Sequence, residues 1–315
     1  MPVIEIKNLV KQYGKIEALR GVTLDIQKGE IFGLLGQNGA GKTTMVKILL
    51  GITKPSFGEA SLMGEPVGTA SVRKRVGYLP EDHRFPDYHT GYSLLDFYGS
   101  VLGMPGKDKK QRIEEMLELV GLKGRMHYKI RTYSKGMKQR LGVAQAIFHD
   151  PDVIFLDEPT DGVDPRGRRE IRELLLQLKD EGKTIFLNSH LLGEVELMTD
   201  RVAILDRGEL IRLGTTEELT QQRGLYVIGL AEGEEFPRAE VSKLGCEVTH
   251  NDGLYEVALK EGQNIDTILD LLRERGLRLR HLTEKHTTLE DLFMQTVEAA
   301  EPGVDRPVRR RRPTR

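Results

Sequence analysis

The sequence predicts an α/β protein, a largely parallel sheet covered by helices and followed by a smaller α+β unit. Three observations lead there. Short apolar runs recur between residues 31 and 208: IFGLLG, VGYLP, VIFLDEP, TIFLNSH and RVAILDRG. Unbroken apolar runs of this length suit strands buried on both faces of a parallel sheet. Helical patterns separate the runs, and strands alternating with helices indicate an α/β fold. After about Leu219 the pattern changes to short strands and amphipathic helices with turn signals between them.

Taken in order, the N-terminal MPVIEIKNLV carries charges inside its apolar run, so it reads as a strand and not as a secretion signal. IFGLL is the next strand and TTMVKILLG the helix after it. Residues 85–150 are helix-rich and read as an inserted helical subdomain. Within them KDKKQRIEEMLELVGL places Ile113, Met116, Leu117 and Val120 at i, i+3, i+4 and i+7, one apolar helical face. Beyond residue 218 come YVIGL, a short helix in PRAEVSKLG, then CEVTH and LYEVAL flanking Asn251-Asp252-Gly253. Asp-Gly between two strand patterns signals a hairpin. IDTILDLLRERGL then reads as a helix and LRLRHLTE as a strand. The order β-α-β-β-α-β is that of a ferredoxin-like unit. The expected division is a first domain over 1–218, an accessory α+β domain over 219–300 and a tail over 301–315.

Composition bounds the function classes. At 315 residues there is room for two domains, and 38% hydrophobic against 30% charged residues is an ordinary globular balance. Apolar runs such as Val153–Leu156 fall far short of the ~18 residues that span a bilayer. Cys246 is the only cysteine, which excludes an internal disulfide and suits a reducing, cytoplasmic compartment. Net charge is −1 but uneven: EPGVDRPVRRRRPTR holds six arginines against two acids, +4, leaving −5 elsewhere. Three prolines and no apolar period make this tail a disordered, solvated extension, with a charge suited to anionic lipid or nucleic acid.

The chemistry concentrates in GQNGAGKTTM. Gly36-x-x-x-x-Gly41-Lys42-Thr43 follows a strand and opens a helix, the P-loop context. Glycines let successive backbone N–H groups of Gly36, Gln37, Asn38, Gly39, Ala40, Gly41, Lys42, Thr43 and Thr44 turn toward phosphate oxygens, and the helix adds its positive N-terminal dipole. Lys42 reaches the outer phosphates, and the Thr43 hydroxyl is a ligand for Mg²⁺. The competing reading, a glycine-rich turn before a helix, rarely supplies Gly-Lys-Thr at this spacing. VIFLDEPT closes a strand with two acids. Adjacent strand residues point to opposite faces, so Asp157 is expected to hold Mg²⁺ and Glu158 to orient or deprotonate water. Acids at strand ends are also common as solvent-facing punctuation.

With three further segments, these pieces resemble the ATP-binding cassette (ABC) family. Tyr133-Ser134-Lys135-Gly136-Met137-Lys138-Gln139-Arg140 stands where that family's signature lies, TDGVDP resembles its dimer-contact loop, and His190 its switch histidine. Tyr13 precedes the P-loop as an adenine-stacking aromatic does. Singly, Tyr13 is a surface aromatic, His190 a satisfied strand-end histidine and Ser134 a helix N-cap; all of them in the family's order is specific. Two departures stand out. The usual Leu-Ser-Gly-Gly-Gln is Tyr-Ser-Lys-Gly-Met here, and the usual Gln after GYLP is Glu81.

The resemblance implies a P-loop NTPase cassette with a parallel-sheet core, an antiparallel β part and a helical subdomain, carrying the small C-terminal domain of an exporter subgroup. It implies an ATPase with Glu158 and His190 as catalytic residues and Mg²⁺ on Thr43, Asp157 and Glu81. ATP would lie against Tyr13, the P-loop and, across a pair of cassettes, Ser134, Lys135, Gly136, Met137 and Asp164. The implied partners are an integral-membrane permease on a separate chain and either a second copy or a related cassette, on the cytoplasmic face of the membrane. No specific nucleic acid is implied. The other classes weighed are a soluble ABC-type ATPase acting on nucleic acid or ribosomes, and a P-loop kinase or GTPase. The first usually shows two fused cassettes or long coiled coils, the second an Asn-Lys-x-Asp motif, and none of these is present.

Overall fold

A computed structural model describes residues 2–300 apart from 221–223, 232, 252, 261 and 286–287. The basic tail over 301–315 and Asp252 of the expected hairpin turn lie outside the described residues. The chain divides into two compact units, one built on Met1–Thr216 and one on Glu217–Met294.

In the first unit, β1 (Pro2–Tyr13) and β2 (Ile16–Gln27) form a hairpin, and β3 (Ile31–Gly36) leads into α1 (Lys42–Leu49). There follow β4 (Phe57–Leu62), β5 (Glu65–Pro66), α2 (Ala70–Arg73) and β6 (Val76–Leu79). Helices α3 (Gly91–Val101), α4 (Gly106–Leu119) and α5 (Lys135–Ile147) precede β7 (Val153–Asp157). The unit continues with α6 (Pro165–Asp180), β8 (Thr184–Asn188), α7 (Leu192–Glu196), β9 (Arg201–Asp206) and β10 (Glu209–Thr215), and α8 (Thr216–Thr220) begins at its last residue.

Two sheets result. The antiparallel one has the order β2-β1-β4-β5, and the larger one β10-β9-β3-β8-β7-β6. In the larger sheet β9, β3, β8, β7 and β6 are parallel, with β10 antiparallel at the edge. Every residue of β3, β7 and β8 is buried, which is why these segments read as unbroken apolar runs. α1 sends Met45, Val46, Ile48 and Leu49 into a core shared by both sheets. At about 1.5–3 kcal/mol for each large side chain buried, that packing fixes the helix opened by the Gly-Lys-Thr segment. In the helical interval, the side chains of Thr90 and Ser93 cap each other's backbone N–H at the start of α3. α4 buries Ile113, Met116 and Leu117 on one face.

The second unit runs β11 (Leu225–Leu230), α9 (Arg238–Lys243), β12 (Glu247–Asn251), β13 (Leu254–Ala258), α10 (Asp266–Glu274), β14 (Leu279–Glu284) and the start of α11 (Leu289–Ala300). Its order, β12-β13-β11-β14 with antiparallel neighbours, is the ferredoxin-like one. Asn251 pairs with Leu254 across a two-residue connection, in which Gly253 has φ +80°. Cys246 joins Ile228, Val241, Val257, Ile268 and Leu272 in its core. Among the described residues no helix is long and apolar enough to cross a membrane.

Candidate active site at the carboxyl ends of the parallel strands

In open α/β sheets ligands gather beyond the carboxyl ends of the strands, and here those ends carry Gly36, Leu79, Asp157 and Asn188. Gly36 leaves β3 at φ +154°, and a Cβ there would lie 2.5 Å from the Leu205 carbonyl oxygen of β9. Gly41, the N-cap of α1, has φ +107°, and a Cβ would lie 2.4 Å from the Ala18 oxygen. Side chains are excluded at both positions, so the loop lies against β2 and β9 as bare backbone. The Ala40 N–H closes the loop onto the Gln37 carbonyl at 3.1 Å, and its own carbonyl accepts from Gly208 N–H at 3.0 Å.

Lys42 begins α1 and is buried. Its Nζ donates to the carbonyls of Gly36 at 2.6 Å and Gln37 at 3.1 Å. Burial lowers the proton affinity of the ammonium, while Glu158, Asp157 and Glu81 act in the opposite direction. One cation thus feels three carboxylates. Residues 37–39 and 41–44 line a cleft of about 440 Å³ together with Tyr13, a residue 46% exposed. Arg20 and Arg207 line it too; the motifs gave no sign of them, because strand pairing alone brings them there.

Asp157 ends β7 opposite Asn188 of β8, and the Asn188 amide donates to Asp157 Oδ1. Burial pushes the Asp157 carboxyl up, and the Glu81 and Glu158 charges add to this; Asn188 and Lys42 pull it back. Among the described residues the Asn188 side-chain oxygen is buried without a partner. Glu158 corrects a sequence expectation. It is not the next residue of the strand, because β7 stops at Asp157 and Glu158 turns into the left-handed region at φ +51°. Alternation therefore does not set its direction. Its N–H bonds Asn188 O at 2.8 Å, and its carbonyl accepts from Gln139 Nε2 at 2.9 Å. Its carboxylate lies 2.8 Å from His190 Nδ1 on one oxygen and accepts from Ser189 Oγ at 3.1 Å on the other. Asn188 and Ser189 of TIFLNSH belong to no motif of the sequence, although both are polar and together they precede His190. Glu81 stands in the exposed turn after β6. Its charge reaches Lys42 and Asp157, and it adds to the burial that pushes the Tyr78 phenol up to about 12.

The signature segment lies elsewhere. Ser134 is the N-cap of α5, its Oγ accepting from Met137 N–H at 3.2 Å. Lys135 Nζ pairs with Asp161 at 2.7 Å. A Cβ on Gly136 would meet only ordinary contacts, the nearest Val163 Cγ1 at 3.5 Å, so no neighbour among the described residues requires a glycine there. Asp164 is the exposed N-cap of α6 and makes no side-chain cap bond. Ser134, Gly136 and Asp164 line a second cleft of about 440 Å³ that shares no residue with the first. One chain thus gathers the P-loop, Asp157, Glu158, Glu81 and His190, while Ser134 and Gly136 at the start of the signature segment line a different cleft and Gln139, farther along it, reaches the Glu158 carbonyl.

Known proteins bear on this arrangement. A family model for the ABC transporter matches residues 19–161. Another, for the ATP-binding protein DrrA1-3-like, C-terminal domain, matches 214–297. The chain is 42% identical over 284 residues to an uncharacterized ABC transporter ATP-binding protein of Synechocystis, covering 89% of this chain and 78% of that one. It is 35% identical over 302 residues to the Nod factor export ATP-binding protein I of Burkholderia lata, covering 94% and 97%. The solved structure of cbiO1 from Clostridium perfringens, described as part of the ABC transporter complex cbiONQ, superposes with a TM-score of 0.64 at 28% identity. That match covers 69% of this chain and 90% of cbiO1. These relatives are transporter subunits and set aside both a nucleic-acid-directed ATPase and a P-loop kinase or GTPase. With relatives of this identity spanning nearly its whole length, the chain belongs to the family of ABC transporter ATP-binding subunits, the ATPases whose hydrolysis of ATP is coupled to transport.

Proposed function

We propose that the chain powers export through an integral-membrane permease on a separate chain, from the cytoplasmic face of the membrane, and that its hydrolytic site is completed by a second cassette. The observation that carries this reading is the separation of the two clefts. Lys42, Asp157 and Glu158 share one place, while Ser134 and Gly136 face another with room at the glycine that this chain does not use. Two copies facing each other would set the Ser134 helix start against the partner's P-loop, where its N–H groups and hydroxyl meet a terminal phosphate. That a relative is described as part of an ABC transporter complex supports the permease partner.

Within the site, Tyr13 offers a ring to the base, and the N–H groups of residues 37–39 and 41–44 take the phosphates; the Ala40 N–H, expected among them, is held by the Gln37 carbonyl instead. Lys42 would exchange two neutral carbonyls for anionic oxygens, the stronger acceptors. Glu158, held on both carboxylate oxygens, is placed to take a proton from water, with His190 bound to it as the residue that senses the terminal phosphate. Mg²⁺ fits the donors present. Among the described residues no three acids, histidines or cysteines form a cage, and Mg²⁺ characteristically uses one or two carboxylates with substrate phosphates and waters. Thr43 and Asp157 would hold it, with Glu81 as a further carboxylate, and Asp157 is a buried acid next to a buried oxygen without a partner. When bound, the ion neutralises charge on the phosphates.

Complementation tests the composite site. Lys42→Ala and Ser134→Arg should each abolish ATP hydrolysis alone. Their mixture should recover part of the rate, because a mixed pair keeps one site with both residues intact. A mixture as inactive as its components would refute the shared site.

A further inference from the structure

We propose that Lys11 is a positioning residue for the nucleotide base. It would fix and polarise the Tyr13 ring from behind and tie that ring to the helix that receives the phosphates. The inference deepens the proposed function and rests on its reading of Tyr13 as the base shelf.

Lys11 and Tyr13 are two residues apart on β1, so their side chains share a face of the strand. Lys11 Nζ stands 4.8 Å from the centre of the Tyr13 ring, within cation–π range. Tyr13 lines the nucleotide cleft and Lys11 is not among the lining residues, and the ammonium is assigned to the ring face away from the cleft. A cation there draws π density toward itself and leaves the cleft face less negative. A less negative face stacks better on the π surface of a purine, since ring faces repel through their like quadrupoles.

The ammonium is also anchored. Lys11 Nζ donates to the Lys54 carbonyl at 2.7 Å, in the segment that leaves α1. That segment is pinned at both ends. Ile52 and Thr53 N–H bond the Lys47 carbonyl of α1 at 2.9 and 3.1 Å, and Ser56 N–H bonds the Val10 carbonyl at 2.8 Å. Gln12 N–H, between Lys11 and Tyr13, bonds Ser56 Oγ at 3.0 Å. Lys11 is therefore the side-chain strut between the strand that carries the base shelf and the helix whose first turn carries Lys42 and Thr43. Together with the Val10–Ser56 and Gln12–Ser56 bonds it ties the base end of the site to the phosphate end.

The test uses the full chain with two probes, ATP and inorganic tripolyphosphate, which has the phosphates without the base. Lys11→Met keeps the aliphatic stem and loses the cation. It should weaken ATP binding roughly two- to fivefold, the scale of one exposed cation–π contact, and leave tripolyphosphate binding unchanged. Lys11→Arg should restore ATP affinity. In a Tyr13→Leu background, Lys11→Met should have no further effect on ATP. Equal weakening of ATP and tripolyphosphate would overturn the proposal and make Lys11 a general attractor of anions. So would an undiminished effect of Lys11→Met in the Tyr13→Leu background. The two readings fail differently. If Tyr13→Leu weakens ATP binding and Lys11→Met does not, only the inference about Lys11 falls. If Tyr13→Leu leaves ATP binding unchanged, the base shelf itself falls.

Discussion

Asp157 and Glu158 are chain neighbours held in opposite ways. Asp157 is buried among other carboxylates, so its ionised form is resisted. Glu158 is held by hydrogen-bonding neighbours on both oxygens. The folded chain therefore keeps the Asp157 proton more tightly than an unfolded chain does. The stability linked to that proton is fully present in acid below the ordinary aspartate range and is lost as pH rises through the folded-state pKa. At neutral pH the ionised group thus opposes folding. Asp157→Asn keeps an acceptor for Asn188 and removes the charge. It should raise the unfolding midpoint of the nucleotide-free chain at pH 7, by roughly 2–4 °C for each kcal/mol of strain relieved in a unit of this size. The gain should vanish as pH falls below about 4, and ATP hydrolysis should be lost. A variant no more stable than the parent at pH 7, by scanning calorimetry, would show that the carboxylate is not strained by its burial. The acids and the lysine were legible in the sequence because their spacing is a motif. Their holders were not. Asn188 meets Asp157 only through the β7–β8 register, and Glu158 leaves its strand by one backbone angle that VIFLDE does not encode locally.

The P-loop lies against strands that a linear reading cannot place. Apolar runs identified β3, β7, β8 and β9, but not that β3 sits between β9 and β8. That order is why the Gly36 Cα lies under the Leu205 carbonyl. Gly36→Ala must move the β9 backbone or the loop, which should cost about 1–3 kcal/mol and at least tenfold in ATP affinity. Gly39→Ala has the strain of φ +86° but open space around it, so it should cost only about 1–2 kcal/mol and spare the approach of the loop to β9. Urea unfolding with nucleotide titration compares them. If the two variants weaken ATP binding equally, backbone angle and not close packing fixes the loop. The helical interval was read from its spacing and from the Ile113, Met116, Leu117 face; the Thr90–Ser93 cap that starts α3 escaped notice, since Ser at that position lacks the usual Glu or Gln.

At the scale of the molecule, the second unit has its own core and the ferredoxin-like strand order, and matches a C-terminal domain family of such subunits. The first unit carries two clefts that one chain leaves separate. Motif order implies a shared site, but the merely ordinary contacts a Cβ would make at Gly136, which support it, are a packing fact outside the reach of sequence. The central claim is that ATP is bound between the P-loop of one cassette and the Ser134 helix of another. Glu158→Gln keeps the shape of the side chain and removes its basicity, so ATP should bind and persist. Light-scattering mass after size exclusion of this variant tests the claim most directly. It should give twice the chain mass with Mg²⁺ and ATP, and the single-chain mass when ATP is omitted or Ser134→Arg is added. A single-chain mass at saturating Mg²⁺ and ATP, or a dimer indifferent to Ser134→Arg, would contradict it.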